Sequence, residues 1–335
     1  MPIPFILGAA AVAAGLYGAK KGLDAKDDQD TANYVNEEAQ GIVDKAKKAA
    51  QKSRKNCGAS INKLGEKKVE VLNESVIPFI EVFKRINNIE LTESKGLEEI
   101  KNFKQDGKFF VELKELGLMA SSLAGGLAGG ATMGAVTAFG AYGAVGVLGA
   151  ASTGTAIAGL SGAAATNATL AFLGGGSLAA GGLGVAGGTA VLGGLVAGPA
   201  IAVLGAFAAS KASANKERAY ANLAKARELK EEMDTVVSLC NGIGDRAKLF
   251  TNLMTKLDRL FCVQASLLKG IVNETGTDYR KYSLKEKQVV ATSLSTLATI
   301  KAVLDTPILN EDGTLTIESK QIANKVDNFI ASQAL

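Results

Sequence analysis

A stretch of 95 residues without a charged side chain is the feature that most constrains this chain. Residues 116–210 contain no Asp, Glu, Lys or Arg, and they include 25 Gly and 27 Ala. In an isolated helix in water, each glycine is unfavourable by about 1 kcal/mol relative to alanine. We therefore expect the stretch to need close packing, lipid or partner subunits to hold it in a helical state.

Glycines in this stretch recur at the spacing of one helical turn. Small residues four positions apart let two helix backbones approach closely, which is how helices associate in lipid. A second ridge, with a spacing of three, contains Gly140, Gly143, Gly146 and Gly149. The residues that we predict to serve helix packing and insertion are Gly126, Gly130, Gly134, Gly184, Gly188, Gly194 and Gly198.

The length of the stretch permits two to four membrane spans of about 20 residues. Residues 131–151 and 189–209 fit best, with breaks at 152–169 and 174–176. Because large apolar side chains are scarce, the pattern favours a segment that inserts conditionally over a permanent membrane domain. The uncharged polar residues in the middle predict a hairpin tip or a pore lining, although packing and capping explain them equally well. They are Ser152, Thr155, Ser161, Thr166 and Asn167.

The charged C-terminal arm, residues 211–335, carries apolar residues at alternating spacings of four and three. This is the seam of a heptad pattern, and it predicts a long helix with a packed face. Gly242 and Gly244 lower the helix propensity and predict a bend or a break. The seam consists of Leu229, Met233, Val236, Cys240, Ile243, Ala247, Phe250, Met254, Leu257 and Phe261.

The N-terminal arm, residues 23–115, has two shorter seams. Pro78 lies inside the second one, so we expect a kink or a helix restart near 76–78. Together the arms predict an antiparallel coiled coil or bundle, with intermolecular coiled-coil assembly as the alternative. The seams are Val35, Ala39, Ile42, Ala46 and Ala49, and then Leu72, Val76, Phe79, Phe83 and Ile86.

Near the C-terminus the helical period gives way to two short β-prone runs around an Asp-Gly turn, at 307–317. This predicts a small hairpin or tight loop, followed by a final helix over 318–333. The acidic pair Glu311 and Asp312 is explained by turn chemistry rather than by a metal site.

The apolar N-terminal segment, residues 1–22, ends with Lys20 and Lys21. A secretory signal carries its positive charge before the apolar run, so the order here argues against a cleaved signal. It favours a segment that seeks a membrane or packs on a helix. With Lys211 just after the uncharged stretch, the lysines indicate a cytoplasmic side for both arms. We expect the protein in the cytoplasm, at the inner membrane, or in both.

Several kinds of chemistry are excluded or disfavoured. The chain has no histidine, which removes histidine-based nucleophile pairs and imidazole zinc sites. A net charge of +4, without basic runs interleaved with aromatic residues, disfavours nucleic acid. The glycine motif at 182–187 lacks the preceding strand and the acidic residue that a dinucleotide site needs. We expect no enzyme activity, no cofactor, no metal and no small-molecule substrate.

The three cysteines, Cys57, Cys240 and Cys262, have no metal-ligand spacing and fall at apolar positions of helical patterns. We predict three buried structural thiols. An odd number without a disulfide framework is typical of a reducing compartment.

Two glycine-rich strings, residues 151–157 and 160–205, resemble a glycine-rich bacterial family that is sometimes labelled chemotaxis-related. Residues 79–91 and 304–316 resemble the arms of the same family. The resemblance implies a membrane-type core of Gly and Ala, and it implies no catalytic residues. The layout, with helical arms around an apolar insert, is also similar to that of α-helical pore-forming toxins.

The sequence therefore predicts an all-α protein, an elongated helical bundle whose arms bracket a Gly/Ala-rich apolar hairpin region. The function we expect is conditional membrane insertion and homo-oligomerisation, ending in a pore or a permeabilised bilayer, as in a toxin-like effector. The alternative is a non-enzymatic scaffold in which the Gly/Ala helices form a core between subunits. The expected partners are a lipid bilayer and further copies of the chain.

Overall fold

In a computed structural model of the chain, the structure describes residues 14–89, 108–127, 136, 139–141, 143, 216–310 and 314–333. Among these residues the only β-pairing consists of isolated bridges, so the predicted all-α class is confirmed. The α-helices are α1 (Ala14–Val71), α2 (Ile77–Phe83), α3 (Lys108–Leu127), α4 (Lys216–Glu274), α5 (Leu284–Asp305) and α6 (Ile317–Gln333).

The N-terminal arm changes helix type just before Pro78. A π-helical turn, Leu72–Val76, joins α1 to α2, and the α-helix resumes at Ile77. Pro78 has no N–H to donate to the turn before it, and it sits in the first turn of α2, where that loss is tolerated. The irregularity predicted near 76–78 is therefore present as a π-turn within a continuous helix, and the helix does not end and restart there.

Contacts between residues divide the chain into two compact units. The first comprises Met1–Lys52 and Ala197–Val237, and the second comprises Ser53–Val196 and Ser238–Leu335.

In the first unit, α1 and α4 run parallel, which corrects the antiparallel arrangement expected from the seams. Contact partners on the two helices advance together, whereas in an antiparallel pair one number would fall as the other rises. The chain between Phe83 and Lys216 is long enough to return to the start of α1, so no hairpin geometry is imposed. The pairs are Asp28 with Lys216 (2.8 Å), Asn36 with Asn222 (3.0 Å) and Glu38 with Arg227 (3.7 Å).

The same parallel direction holds in the second unit. After α2, Asn87 forms a parallel bridge with Asp278, which follows α4. The pairs between the helices are Ser53 with Asn241 (2.8 Å), Lys67 with Asp258 (2.9 Å) and Ser75 with Asp258 (2.6 Å).

The seam of the C-terminal arm is buried as predicted, apart from the half-buried Val236. No break occurs at Gly242 or Gly244, because α4 continues through both. A Cβ built at Gly244 would lie 3.6 Å from the Cα of Cys57, so this glycine allows a close approach of α1. The break predicted from helix propensity is wrong because packing outweighs propensity here.

The first seam of the N-terminal arm is partly wrong. Val43 and Ala50 are buried, whereas Ile42 is half-buried and Ala49 is exposed. An α-helix with 3.6 residues per turn drifts away from a strict seven-residue repeat, and the drift carries these positions out of the contact. The residues that line the packed face are Ala32, Val35, Ala39, Val43, Ala46 and Ala50.

The second N-terminal seam is largely confirmed. Four of its residues are buried and Phe83 is half-buried. Phe79 contacts Phe261 of α4 with ring centroids 4.8 Å apart, and Phe83 stacks on Phe110 of α3 at 5.4 Å.

The C-terminal hairpin is confirmed. Leu309 and Leu315 form an antiparallel bridge, and the Thr316 N–H donates to the Ile308 carbonyl at 3.1 Å. Residues 311–313, with Glu311 and Asp312, lie outside the described residues. The final helix begins at Ile317, one residue before the predicted start.

One cysteine departs from its predicted place. Cys57 and Cys240 are buried, but Cys262 is exposed. Phe261 already occupies the seam, and the next residue along a helix is rotated by about 100° around the axis. The Cys262 side chain therefore points away from the core, with its Sγ 3.4 Å from the Ser75 hydroxyl.

Candidate functional site

Most residues that the sequence predicts for insertion lie outside the described part of the chain. The exception is Gly126, which lies near the end of α3. The others are Gly130, Gly134, Gly184, Gly188, Gly194 and Gly198, and the polar residues Ser152, Thr155, Ser161, Thr166 and Asn167. Their predicted roles stay predictions.

Beyond the end of α3, a second short piece of the uncharged stretch is described, and it is buried in the second unit. We name Val136, Phe139, Gly140, Ala141 and Gly143 the docked segment. All five residues are buried. The Gly143 N–H donates to the Phe139 carbonyl at 3.1 Å, as in a helical turn.

Glycines permit backbone contact between α1 and the docked segment. A Cβ on Gly65 would lie 1.9 Å from the Val136 carbonyl oxygen, and one on Gly140 would lie 2.3 Å from the Ile61 oxygen. Each contact is with backbone, which cannot turn aside as a flexible side chain can. Gly65 and Gly140 therefore act as a reciprocal pair of small residues of the kind predicted for the ridges.

The other side of the docked segment contacts the end of α5 and the hairpin. Gly143 has a φ of +65°, and a Cβ there would lie 2.6 Å from the Asp305 carbonyl oxygen. The Ala141 carbonyl accepts hydrogen bonds from Ile308 N–H at 2.8 Å and from Leu309 N–H at 3.2 Å. The segment is thus held by backbone hydrogen bonds as well as by apolar burial.

Lys68 on α1 is completely buried beneath the docked segment. Its Nζ donates to the Phe139 carbonyl at 3.2 Å and to the Leu304 carbonyl at 3.4 Å, and it lies 5.2 Å from the centroid of the Phe139 ring. One amine therefore joins α1, the docked segment and the end of α5. Such hydrogen bonding is what allows an amine to be buried at all.

The electrostatics of this amine are finely balanced. Burial lowers the pKa of Lys68 to about 7, against a smaller opposing effect from Asp305. Burial also raises the pKa of Asp305, although its ion pair with Lys301 works in the other direction. Around neutral pH, Lys68 can therefore hold the docked segment as an ammonium or as a neutral amine.

Helix α3 contacts α5, the π-turn and α2. Lys301 of α5 forms an ion pair with Glu112 at 2.8 Å, and the Ser121 hydroxyl donates to Asn73 of the π-turn at 3.0 Å. A Cβ on Gly117 would lie 2.1 Å from the end of the Ile77 side chain. The uncharged stretch therefore contacts the charged helices at two places, at Gly117 on α2 and at the docked segment on α1.

Sequence reasoning missed the contribution of α1. Lys68 lies midway between Leu64 and Leu72, four positions from each, and this core spacing could have marked it as inward-facing. Gly65 has no small residue four positions away on either side that would have marked a glycine ridge. Gly140 and Gly143 belong to the predicted ridge of spacing three, and both make the close contacts expected of it.

A second polar cluster serves packing. Asp258 of α4 accepts hydrogen bonds from Ser75 at 2.6 Å and from Lys67 at 2.9 Å. Burial, which lowers the pKa of Lys67, is outweighed by its hydrogen bonds to Glu70 and Asp258. The cluster ties the π-turn to α4. The described residues contain no group of His, Cys, Asp and Glu that could hold a metal ion.

No family model, curated protein or solved structure matches this chain. The resemblance to the glycine-rich bacterial family stays a prediction. Among the described helices, none is both long enough and apolar enough to cross a bilayer.

Proposed function

We propose that this protein inserts conditionally into lipid bilayers and oligomerises there, forming a pore or permeabilising the membrane. The inserting region is the uncharged stretch 116–210. The observation that carries the proposal is the docked segment, a part of this stretch that is held against charged helices by contacts of very different kinds. We propose that this segment leaves its place against α1 and α5 when the stretch inserts, while α1 and α4 keep their contacts with each other.

The contacts that hold the docked segment are of a kind that can be broken and re-formed. Glycine contacts with Ile61 and Val136 are lost together when the segment moves, because each depends on the others' geometry. Lys68 adds a hydrogen bond that is made by a group with a pKa of about 7. Once free, a stretch without charges meets no electrostatic barrier to entering lipid.

Self-association has support in α3. Val111 and Leu118, two helical turns apart on one face, expose 54% and 63% of their surface. Exposed apolar side chains at this spacing can pack against another helix, and Leu118 already belongs to the inserting stretch. We therefore propose that copies of the chain associate through α3 and the glycine ridges.

The direct experiment is flotation of the full chain, expressed without detergent, with dye-loaded vesicles of anionic phospholipid. The proposal expects the protein to float with the vesicles and the dye to be released. Flotation without release would indicate a membrane anchor and overturn the pore. If both the wild-type chain and Gly65→Ala, which disturbs the contact with α1, stay at the bottom with the dye retained, insertion is overturned.

The predicted glycine ridges can be tested in the same assay. Gly130→Leu and Gly194→Leu each place a large side chain where two helix backbones should approach. We expect both variants to assemble poorly and to release less dye than the parent. Variants that assemble and permeabilise as well as the parent would contradict a role for the ridges.

The second candidate is a scaffold in which Gly/Ala helices pack between subunits and never meet lipid. The observation that favours it is that Gly65 and Gly140 already serve contact between protein backbones. A scaffold would purify without detergent as a large, uniform particle that leaves dye-loaded vesicles intact.

A further inference from the structure

Two of the three cysteines face each other between α1 and α4 in the second unit. Cys57 is 8% exposed and Cys240 is 2% exposed, and they lie on segments of α1 and α4 that are in direct contact. The two residues are 183 positions apart in sequence (240 − 57), so the contact belongs to the tertiary fold. The third cysteine, Cys262, is exposed elsewhere on α4.

The backbones at this point are close enough for a covalent link to be considered. Gly244 lies one turn after Cys240, and a Cβ built on it would lie 3.6 Å from the Cα of Cys57. One turn before Cys57, the Ser53 hydroxyl donates to the Asn241 side chain at 2.8 Å. A disulfide requires Cα atoms within about 7 Å and side chains that point towards each other. The two contacts, one turn before Cys57 and one turn after Cys240, place both cysteines where α1 and α4 touch.

The surroundings make one thiol more reactive than the other. The hydrogen bond from Cys57 lowers the pKa of Cys240 to about 7, burial opposes the shift, and the charge of Arg54 adds to it. The same hydrogen bond, together with burial, raises the pKa of Cys57. The Arg54 Nε is buried without a hydrogen-bond partner among the described residues, so the guanidinium can stabilise a thiolate nearby.

We propose that Cys57 and Cys240 form a redox-controlled disulfide that staples α1 to α4. In the first step, local opening of the helix pair exposes the Cys240 thiolate, which attacks a small disulfide such as oxidised glutathione, and one glutathione thiolate leaves. The Cys57 thiol then loses its proton and attacks the Cys240 sulfur of the mixed disulfide, which releases the second glutathione. The protein gives up two electrons and two protons, and the glutathione disulfide is reduced to two thiols.

This proposal goes beyond the proposed function and does not depend on it. Cys57 lies on α1 two turns before Gly65, which contacts the docked segment. Under oxidising conditions, a disulfide there would prevent α1 and α4 from separating. When thiols are abundant, the disulfide would be reduced and the two helices could separate again. Because the closed loop is long, the link should stabilise the folded chain measurably.

The test is incubation of the native, reduced full chain with oxidised glutathione at pH 8, followed by alkylation of free thiols and digestion with trypsin. Cleavage after Lys and Arg places Cys57 in peptide 56–63, Cys240 in peptide 231–246 and Cys262 in peptide 260–269. We expect peptides 56–63 and 231–246 to be joined, with two hydrogens lost. The unfolding temperature should rise by several degrees and fall back on reduction.

Cys262→Ser is the matched control and should form the same link with the same rise in unfolding temperature. Cys57→Ser and Cys240→Ser should each abolish both. Links that involve peptide 260–269, or peptides 56–63 and 231–246 that remain fully alkylated after oxidation of the wild-type chain, would overturn the proposal. The peptide map of the wild-type chain decides the matter even if one serine variant folds poorly.

Discussion

At Lys68 a side chain that carries a charge in water occupies a completely buried position. Its partners are two backbone carbonyls and the face of Phe139, and the negative charge of Asp305 favours its protonated form. Carbonyls accept hydrogen bonds from an ammonium and from a neutral amine alike. The position therefore tolerates either protonation state, at a free-energy cost that depends on pH.

The sign of this dependence follows from linkage. The pKa of Lys68 is about 7 in the folded chain, below its ordinary value of 10.5. Between these pH values the unfolded chain binds a proton that the folded chain does not, so the free energy of unfolding rises with pH. The total rise is at most about 5 kcal/mol. Below pH 7 both states are protonated and the full cost of the buried charge remains.

We therefore predict that Lys68→Met removes a pH dependence. In urea unfolding at pH 7, 8, 9 and 10, the wild-type chain should gain stability along the series, and Lys68→Met should gain distinctly less. Lys63→Met, which removes an exposed lysine from the same helix, is the matched control and should follow the wild type. Equal slopes for Lys68→Met and the wild type would contradict the assignment.

At the scale of the element, two of the glycines in α1, Gly58 and Gly65, have opposite surroundings. Gly65 would drive a Cβ into the Val136 carbonyl, whereas a Cβ on Gly58 would meet nothing within 4 Å. We predict that Gly65→Ala destabilises the chain by about 1–3 kcal/mol, because backbone must move. Gly58→Ala should stabilise it by roughly 0.5–1 kcal/mol through helix propensity. Urea unfolding measures both, and similar effects of the two would contradict the docking.

The packed face of α1 in the first unit provides a second test. Val43 is buried in the contact with α4, and Ile42 lies at its edge. Val43→Ala should cost about 2 kcal/mol from the lost apolar burial, and Ile42→Ala should cost less although it removes more atoms. Chemical unfolding of the two variants shows which substitution destabilises the chain more. A larger loss for Ile42→Ala would mean that Ile42, as the heptad pattern predicted, lies in the contact.

The elements show how far sequence reasoning reaches. Heptad spacing predicted α4 and its buried face because many apolar side chains share one stripe. It could not give the direction of the helices, since a stripe is the same whichever way the partner runs. It also missed Lys68 and Gly65, because their roles depend on Phe139 and Val136, which lie far away in sequence and meet them only in the folded chain.

At the scale of the whole molecule, charge is divided sharply along the chain. The arms carry all the charged residues apart from those in the first segment, and the 95 residues between them carry none. Composition alone predicted that the uncharged stretch needs close packing, lipid or partner subunits. The residues that pack against it could not be predicted. Ile61, Gly65 and Lys68 belong to a helix whose sequence has the pattern of an ordinary charged helical arm.

The central claim is that contacts with α1 keep the uncharged stretch from lipid until they are broken. The measurement that tests it most directly is the rate of dye release from anionic vesicles by Gly65→Ala, with Gly58→Ala as the matched control. The account predicts faster release by Gly65→Ala than by the wild-type chain, and release by Gly58→Ala no faster than the wild type. Equal rates for the two variants, or slower release by Gly65→Ala, would contradict it.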